Sequence, residues 1–305
     1  MASPITAKTH PDSLNPVYKK LTYEGFNRTP DLVSLLFGTE TSDRNQELFA
    51  TITGMGDFTE HQGTIDYDGP DQGYTVTATH KEFSKGLMIG RTILDDDQHG
   101  QIVKMFKLFG DSAFQTRQKD AAQPFNSAFT VDSEFFSHEE GVPLVSNSHT
   151  TPRAGVSTTN GFDNLYTAAL SGTAVSAARY NMRLFKQFNG EPIDEIPGTL
   201  IVPAELEDKA FEIVKTRTGL DTADGNYNPQ QSRYDVISSV RLTDSNNWFA
   251  VNKSMMKENL IWMDRIPFET DRMEHFDSFS FKARGYMRYS YYWLLWQWIV
   301  GHQVS

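Results

Sequence analysis

The stretch LDDDQHGQIVKMFKLFGDSAFQTRQKDAAQPFNSAF, residues 94–129, decides most of the fold. Ile102, Met105, Phe106 and Phe109 fall at i, i+3, i+4 and i+7, so one face of a helix collects them. Asp95, Asp96 and Asp97 precede that face, where a helix N-terminus favours negative charge. The same carboxylates are candidates for acid–base work, but no apolar pocket nearby on the chain would shift their pKa values, and the capping reading is preferred. Gly110 and Pro124 mark possible interruptions. No other segment carries so long a helical pattern.

N-terminal to this stretch, the first ~50 residues set Pro4, Pro11, Pro16 and Pro30 among Ser, Thr, Asn and Asp, with one apolar run, LVSLLFG, at residues 32–38. Proline bias against helix and the lack of sustained periodicity predict an extended arm that packs on something else. From Phe49 to Leu94 the pattern turns strand-like. Ile65 and Tyr67, then Tyr74, Val76 and Ala78, alternate with polar residues around the turn signal YDGPDQGY. A two-stranded hairpin is marginal alone in water, so this one is expected to lean on a neighbouring subunit.

C-terminal to the stretch, residues 130–162 form a Gly/Ser/Thr/Asn/Pro-rich connection, and 164–188 read as a second helix rich in small residues. Thr199–Val202 is predicted to be a short buried strand, followed by a helix that Pro203 starts. Strands are expected in RYDVISSVRL, in NWFAVNK and over the last ~45 residues. The chain closes on ARGYMRYSYYWLLWQWIVGHQVS, residues 283–305, which raises three readings: membrane anchor, stacking platform for bases, or strand. The apolar run Trp293–Val300 is far shorter than the ~20 residues a spanning helix needs. Lys282, Arg284 and Arg288 are too few for the basic groove that base stacking requires. Paired β-structure remains. The pattern as a whole is mixed α+β, and its arm and hairpin are hard to bury inside one monomer.

The 305 residues carry 28 basic and 39 acidic side chains, a net charge of -11 that repels phosphate and disfavours dedicated nucleic-acid binding. Thirty-eight aromatic residues argue against long-range disorder. The absence of cysteine removes disulfides, thiolate nucleophiles and thiolate metal sites. The N-terminus has no apolar core of the signal-peptide kind.

Candidate chemistry is sparse. His138, Glu139 and Glu140 sit together, but no second His lies at HExxH spacing and His149 is eleven residues from His138, so these read as solvated loop charges. Asp221, Asp224, Asn226 and Asn228 supply oxygens without the spacing or terminal Glu of an EF-hand loop, which favours a turn. Neither a G-x-S-x-G elbow nor a phosphate-cradling glycine motif occurs. The expectation is of no catalytic, cofactor-binding or metal-binding residues, and no cofactor.

The order of features resembles the tailed-phage major capsid proteins, most of all the Mu-like major head subunits. The resemblance rests on GLMIGRTILDDDQHGQIVKMFKLFGDSAFQTRQKDAAQPFNSAF (86–129), IPGTLIVPAELEDKAFEIV (196–214) and RYDVISSVRLTDSNNWFAVNK (233–253), and covers roughly residues 50–300. It implies an N-terminal arm (1–50), an extended loop reaching over a neighbour (51–93), a peripheral domain around a long spine helix (94–162 and 254–305) and an axial domain (163–253). It implies a non-enzymatic subunit, assembled in the host cytoplasm through hexamers and pentamers into an icosahedral virion shell around double-stranded DNA held weakly and non-specifically. Separate scaffold, portal and decoration proteins would be its partners, and no membrane. Some relatives crosslink Lys to Asn between subunits; Lys81 and Lys85 lie near the loop, but no motif marks them as reactive. The alternatives are an encapsulin-like compartment shell and a minor capsid or binding protein.

Overall fold

The computed structural model describes residues 11–305 except 59, 62, 66, 68, 91, 94, 95, 97–99, 218–226 and 276–279. The long helix that the opening stretch predicts is present. Helix α3 spans Gln101–Asn126, 26 residues, or about 39 Å at 1.5 Å per residue. Ile102, Phe106 and Phe109 are buried along one face, continued by Phe114, Gln118, Ala121, Ala122 and Phe125.

Three expectations for this helix need correction. It starts later than the acidic triplet: the N-cap is Gly100 at φ 62, a left-handed conformation that ends the helix there, and its first turn holds no acidic residue. Asp95 and Asp97 lie outside the described residues. Pro124 sits inside the last turn without breaking it. Gly110 does not interrupt the helix either, because it is where another helix crosses.

That other helix corrects the reading of an extended arm. Helix α1 spans Pro11–Phe26, and α2 spans Leu32–Leu36. Pro11 at the first helical position is compatible with helix, since its missing N–H would have no intrahelical partner there. A Cβ on Gly110 would lie 1.9 Å from the Thr22 carbonyl oxygen, and one on Gly25 would lie 2.1 Å from that of Lys107. Two glycines thus let the backbones of α1 and α3 touch. Around this crossing, Tyr18 stacks on Phe106 at 4.6 Å and Phe26 on Phe268 at 4.7 Å. Gln118, buried on α3, accepts from the Leu32 backbone N–H at 2.8 Å and donates to Asp31 at 2.6 Å. Asp31 in turn caps α2.

Twelve strands form three sheets among the described residues: β1 (Gly38–Thr41), β2 (Gln46–Ile52), β3 (Gln72–Thr79), β4 (Lys81–Ile89), β5 (Phe136–His138), β6 (Leu165–Tyr166), β7 (Thr199–Pro203), β8 (Asp235–Ser239), β9 (Trp248–Val251), β10 (Leu260–His275), β11 (Ser280–Trp293) and β12 (Ile299–His302). A four-stranded sheet runs β1-β10-β11-β4, a five-stranded one β6-β12-β9-β7-β8 and a three-stranded one β2-β3-β5. The first rests on the long antiparallel hairpin β10–β11. The aromatic tail is therefore strand material, as its alternation predicts, and its last strand, β12, crosses into the five-stranded sheet.

Helix α4 (Gly172–Arg183) is shorter than the helix expected over 164–188, because β6 precedes it and Ser171 caps it by accepting from the Ala174 N–H at 3.1 Å. The buried strand near Thr199 is β7, followed after a short 3-10 turn by α5 (Glu207–Lys215). Helix α6 (Lys253–Asn259) links β9 to β10.

The tail, together with β9 and β10, supplies much of the core. Trp248, Trp262, Trp296, Trp298, Tyr289 and Tyr291 are all fully buried. Trp262 stacks on Tyr289 at 4.6 Å, and the Arg117 guanidinium of α3 lies over Trp262 at 5.1 Å while pairing with Asp264 at 3.2 Å. Tyr289 donates to Asp120 of α3 and Tyr291 to Asp132, each at 2.6 Å. Burial and the adjacent carboxylates push both phenols far above their ordinary pKa.

Candidate assembly surfaces

The residues singled out for chemistry are drawn into structure. Glu140 and His149 are not the solvated loop charges that sequence spacing predicts: both side chains are buried and meet at 3.1 Å. Glu140 also accepts from the Thr150 N–H at 2.7 Å, and the His149 ring stacks on Trp296 at 4.3 Å. Their segments are separated along the chain, so local spacing could not show the pairing. His138 stacks on Trp293 at 3.9 Å, while Glu139, on the surface, accepts from the Thr75 N–H and hydroxyl at 2.8 and 2.7 Å. A third stack joins His302 to Trp248 at 3.8 Å, and burial lowers the His302 pKa to about 4. Among the described residues no three His, Asp or Glu side chains gather as metal ligands.

Asn228 is a structural tie. Its amide donates to the carbonyls of Ile213 and Thr216 at 2.7 and 2.9 Å, closing the end of α5, and its oxygen accepts from the Gln230 N–H. Asp221, Asp224 and Asn226 lie outside the described residues. Two of the basic residues of the tail are paired with carboxylates: Arg284 with Asp271 and Arg288 with Glu82. Lys81 pairs with Glu134 at 2.7 Å, and Lys85 donates to Ser112 at 2.8 Å. Among the described residues no helix is long and apolar enough to cross a membrane.

What stands out is a surface. The hairpin is not built around YDGPDQGY: its strands are β2 and β3, joined by residues 53–71, and Ile65 and Tyr67 lie in that connection rather than in a strand. Val76 and Ala78 of β3 are buried in the core of the subunit itself, rather than left to lean on a neighbour as expected. The connection is anchored at its root. Thr53 donates its N–H to the Asp71 carbonyl at 2.9 Å and accepts the Asp71 N–H at 2.8 Å on its hydroxyl. Arg153 donates to the Gly54 carbonyl and Asn189 to that of Met55, both at 2.8 Å. Beyond the root, the apolar side chains face water: Phe58 is 107% exposed and Tyr67 89%, with Met55 and Ile65 also exposed. Exposed apolar side chains collected on one projecting segment mark an interaction site.

A family model described as phage capsid protein matches residues 73–300. The chain belongs to the phage capsid protein family. Its mixed α+β architecture is the tailed-phage capsid fold, and solved capsids superpose on it. The asymmetric unit of the bacteriophage PhiM1 mature capsid aligns with a TM-score of 0.61 at 10% identity, covering 91% of this chain and 88% of that one. The bacteriophage JBD30 capsid aligns at 0.57 and 15% identity over 71% and 92%. The virus-like particle from Pyrococcus furiosus aligns at 0.52 and 9% identity over 94% and 98%. At such identities these likenesses concern the fold. No curated protein matches the capsid protein in sequence. Its place is the virion capsid, and its role there is structural rather than catalytic.

Proposed function

We propose that this capsid protein is the major head subunit, of the Mu-like group, and builds an icosahedral shell through hexameric and pentameric capsomers. The observation that carries this reading is the projecting loop 53–71, held at its root by its own chain and apolar where it faces water. Such a segment gains stability by burying surface against another chain. The loop reaches over a neighbour; the parts around α3 and the β10–β11 hairpin make the periphery (94–162 and 254–305), and the parts around the five-stranded sheet make the axial region (163–253), with strand β12 tying the two together. The arm (1–50) begins its described part as α1, docked on α3.

A net charge of -11 suits a shell that confines double-stranded DNA without gripping it. Separate scaffold, portal and decoration proteins complete the set of partners, and assembly takes place in the host cytoplasm. The test is electron microscopy of the purified full-length chain beside a variant in which residues 55–69 are replaced by a short Gly-Ser linker. The replacement stops short of β3, whose Val76 and Ala78 are buried. Closed shells from the full-length chain and none from the shortened one are expected. A chain that stays monomeric at high concentration under every condition contradicts the capsid reading. Particles from the native source that hold protein and no DNA point instead to a compartment shell.

A further inference from the structure

Helix α3 does not lie flush on the four-stranded sheet. Between them, beside the edge strand β4, is a cavity of ≈ 150 Å³ lined by Phe83, Phe109, Ala113, Phe268 and Met287. Two features keep it open. Gly285 contributes no side chain, and a Cβ there would lie 2.9 Å from Phe268 Cε2 and 3.1 Å from Phe109 Cζ, so these rings already rest on its backbone. The aromatic walls are also held from outside: Phe83 stacks on Tyr289 and Phe268 on Phe26, both at 4.7 Å. Rings pinned in this way do not swing in to fill the space.

The mouth has a different chemistry. Cross-strand pairing sets Lys85 opposite Gly285 and Phe83 opposite Met287, alternate positions on one face of the sheet. Lys85 thus reaches across the opening to α3, where its Nζ donates to the Ser112 hydroxyl at 2.8 Å. That partner is neutral and leaves the ammonium charge uncompensated at the contact. The Thr116 hydroxyl is spent on the Ser112 carbonyl at 3.0 Å, so it asks nothing of a ligand. An apolar space of about 150 Å³ takes one benzene-sized ring, and an ammonium at its rim selects an anion. We propose that the cavity binds a single-ring aromatic acid of benzoate size. The ring lies between α3 and the sheet, and the carboxylate meets Lys85 in place of the Ser112 hydroxyl. Occupancy ties α3 to β4 and raises the stability of the subunit by mass action.

The test is a titration of the purified full-length chain with sodium benzoate, read by ligand-detected NMR and by the thermal unfolding midpoint. Saturable binding with a dissociation constant of about 1 mM or below is expected, with a rise in the midpoint that sodium acetate does not produce. Ala113→Leu, which fills the cavity from the helix side, should weaken binding about tenfold or more. Lys85→Met should weaken benzoate by about tenfold, the loss of one charge-assisted hydrogen bond. Toluene, the same ring without the charge, should bind the natural chain and Lys85→Met equally. Absence of saturable benzoate binding, or binding that Ala113→Leu leaves undiminished, overturns the site. Benzoate binding that Lys85→Met leaves unchanged overturns the assignment of an acid, and with it the proposal. Lys85 is exposed, so that arm stands even where Ala113→Leu does not fold. Every readout is of binding by the chain itself, so the outcome does not depend on shell formation.

Discussion

Two regions of this capsid protein carry conspicuous apolar and aromatic side chains and meet opposite fates. In β11 and the bend after it, Tyr289, Tyr291, Trp296 and Trp298 are sealed inside the subunit. In the loop 53–71, Phe58 and Tyr67 stand in water. The difference lies in partners along the same chain. The tail has β10 and β4 on either side and α3 against it, so its backbone and side chains are satisfied at home. The loop is tied to the rest of the chain at its root. The aromatic residues of these two regions therefore belong either to the core of the subunit or to a core completed by assembly.

The largest expected effect breaks the first half of that comparison. Trp262→Ala removes a fully buried ring that stacks on Tyr289 and lies under the Arg117 guanidinium, and should cost the unassembled subunit about 3–5 kcal/mol in urea unfolding. A loss below about 1 kcal/mol would mean that the surface Tyr289 of the tail packs against is not core.

Acid should weaken the subunit next. Burial holds the His302 imidazole down to about 4 and lowers those of His80 and His138. A histidine depressed in the fold binds fewer protons than the unfolded chain, so its contribution is complete above pH ~6.5 and is lost as pH falls toward 4. For His302 alone that is about 3 kcal/mol. Asp120, raised by burial, acts with the opposite sign. Unfolding of the free subunit at pH 7 and at pH 4.5 measures the balance, and equal stabilities would contradict the buried imidazoles.

Gly110→Ala should cost about 1–3 kcal/mol by forcing α1 off α3, read as a lower unfolding midpoint and as faster proteolysis within residues 11–26. If stability is unchanged, the α1–α3 crossing is absent. The smallest effect sharpens the other half. Phe58→Ala/Tyr67→Ala should leave the free subunit within about 0.5 kcal/mol of the natural chain while reducing the yield of shells. A large loss in the free subunit would mean that the loop folds back on its own chain.

Much of the subunit is legible in its sequence wherever one apolar face suffices. Helix α3, strand β7 and the strands of the tail follow from periodicity and composition. Helix α1 does not, because it meets α3 through Thr22 against Gly110 and Gly25 against the Lys107 backbone, and such residues register as polar or helix-breaking rather than as a buried stripe. The Glu140–His149 pair is hidden for another reason, since folding alone brings its two segments together. The loop surface was half legible: its lack of a core shows in the composition, but its bounds do not, because β2 comes from residues assigned to the arm.

Hydrogen exchange tests the central claim most directly, comparing free subunits with assembled shells of the same chain. The account predicts that amides of 57, 58, 63–65 and 67 exchange freely in the subunit and become protected in the shell, while those of 286–293 are protected in both. Equal exchange of the loop in the two states would contradict it.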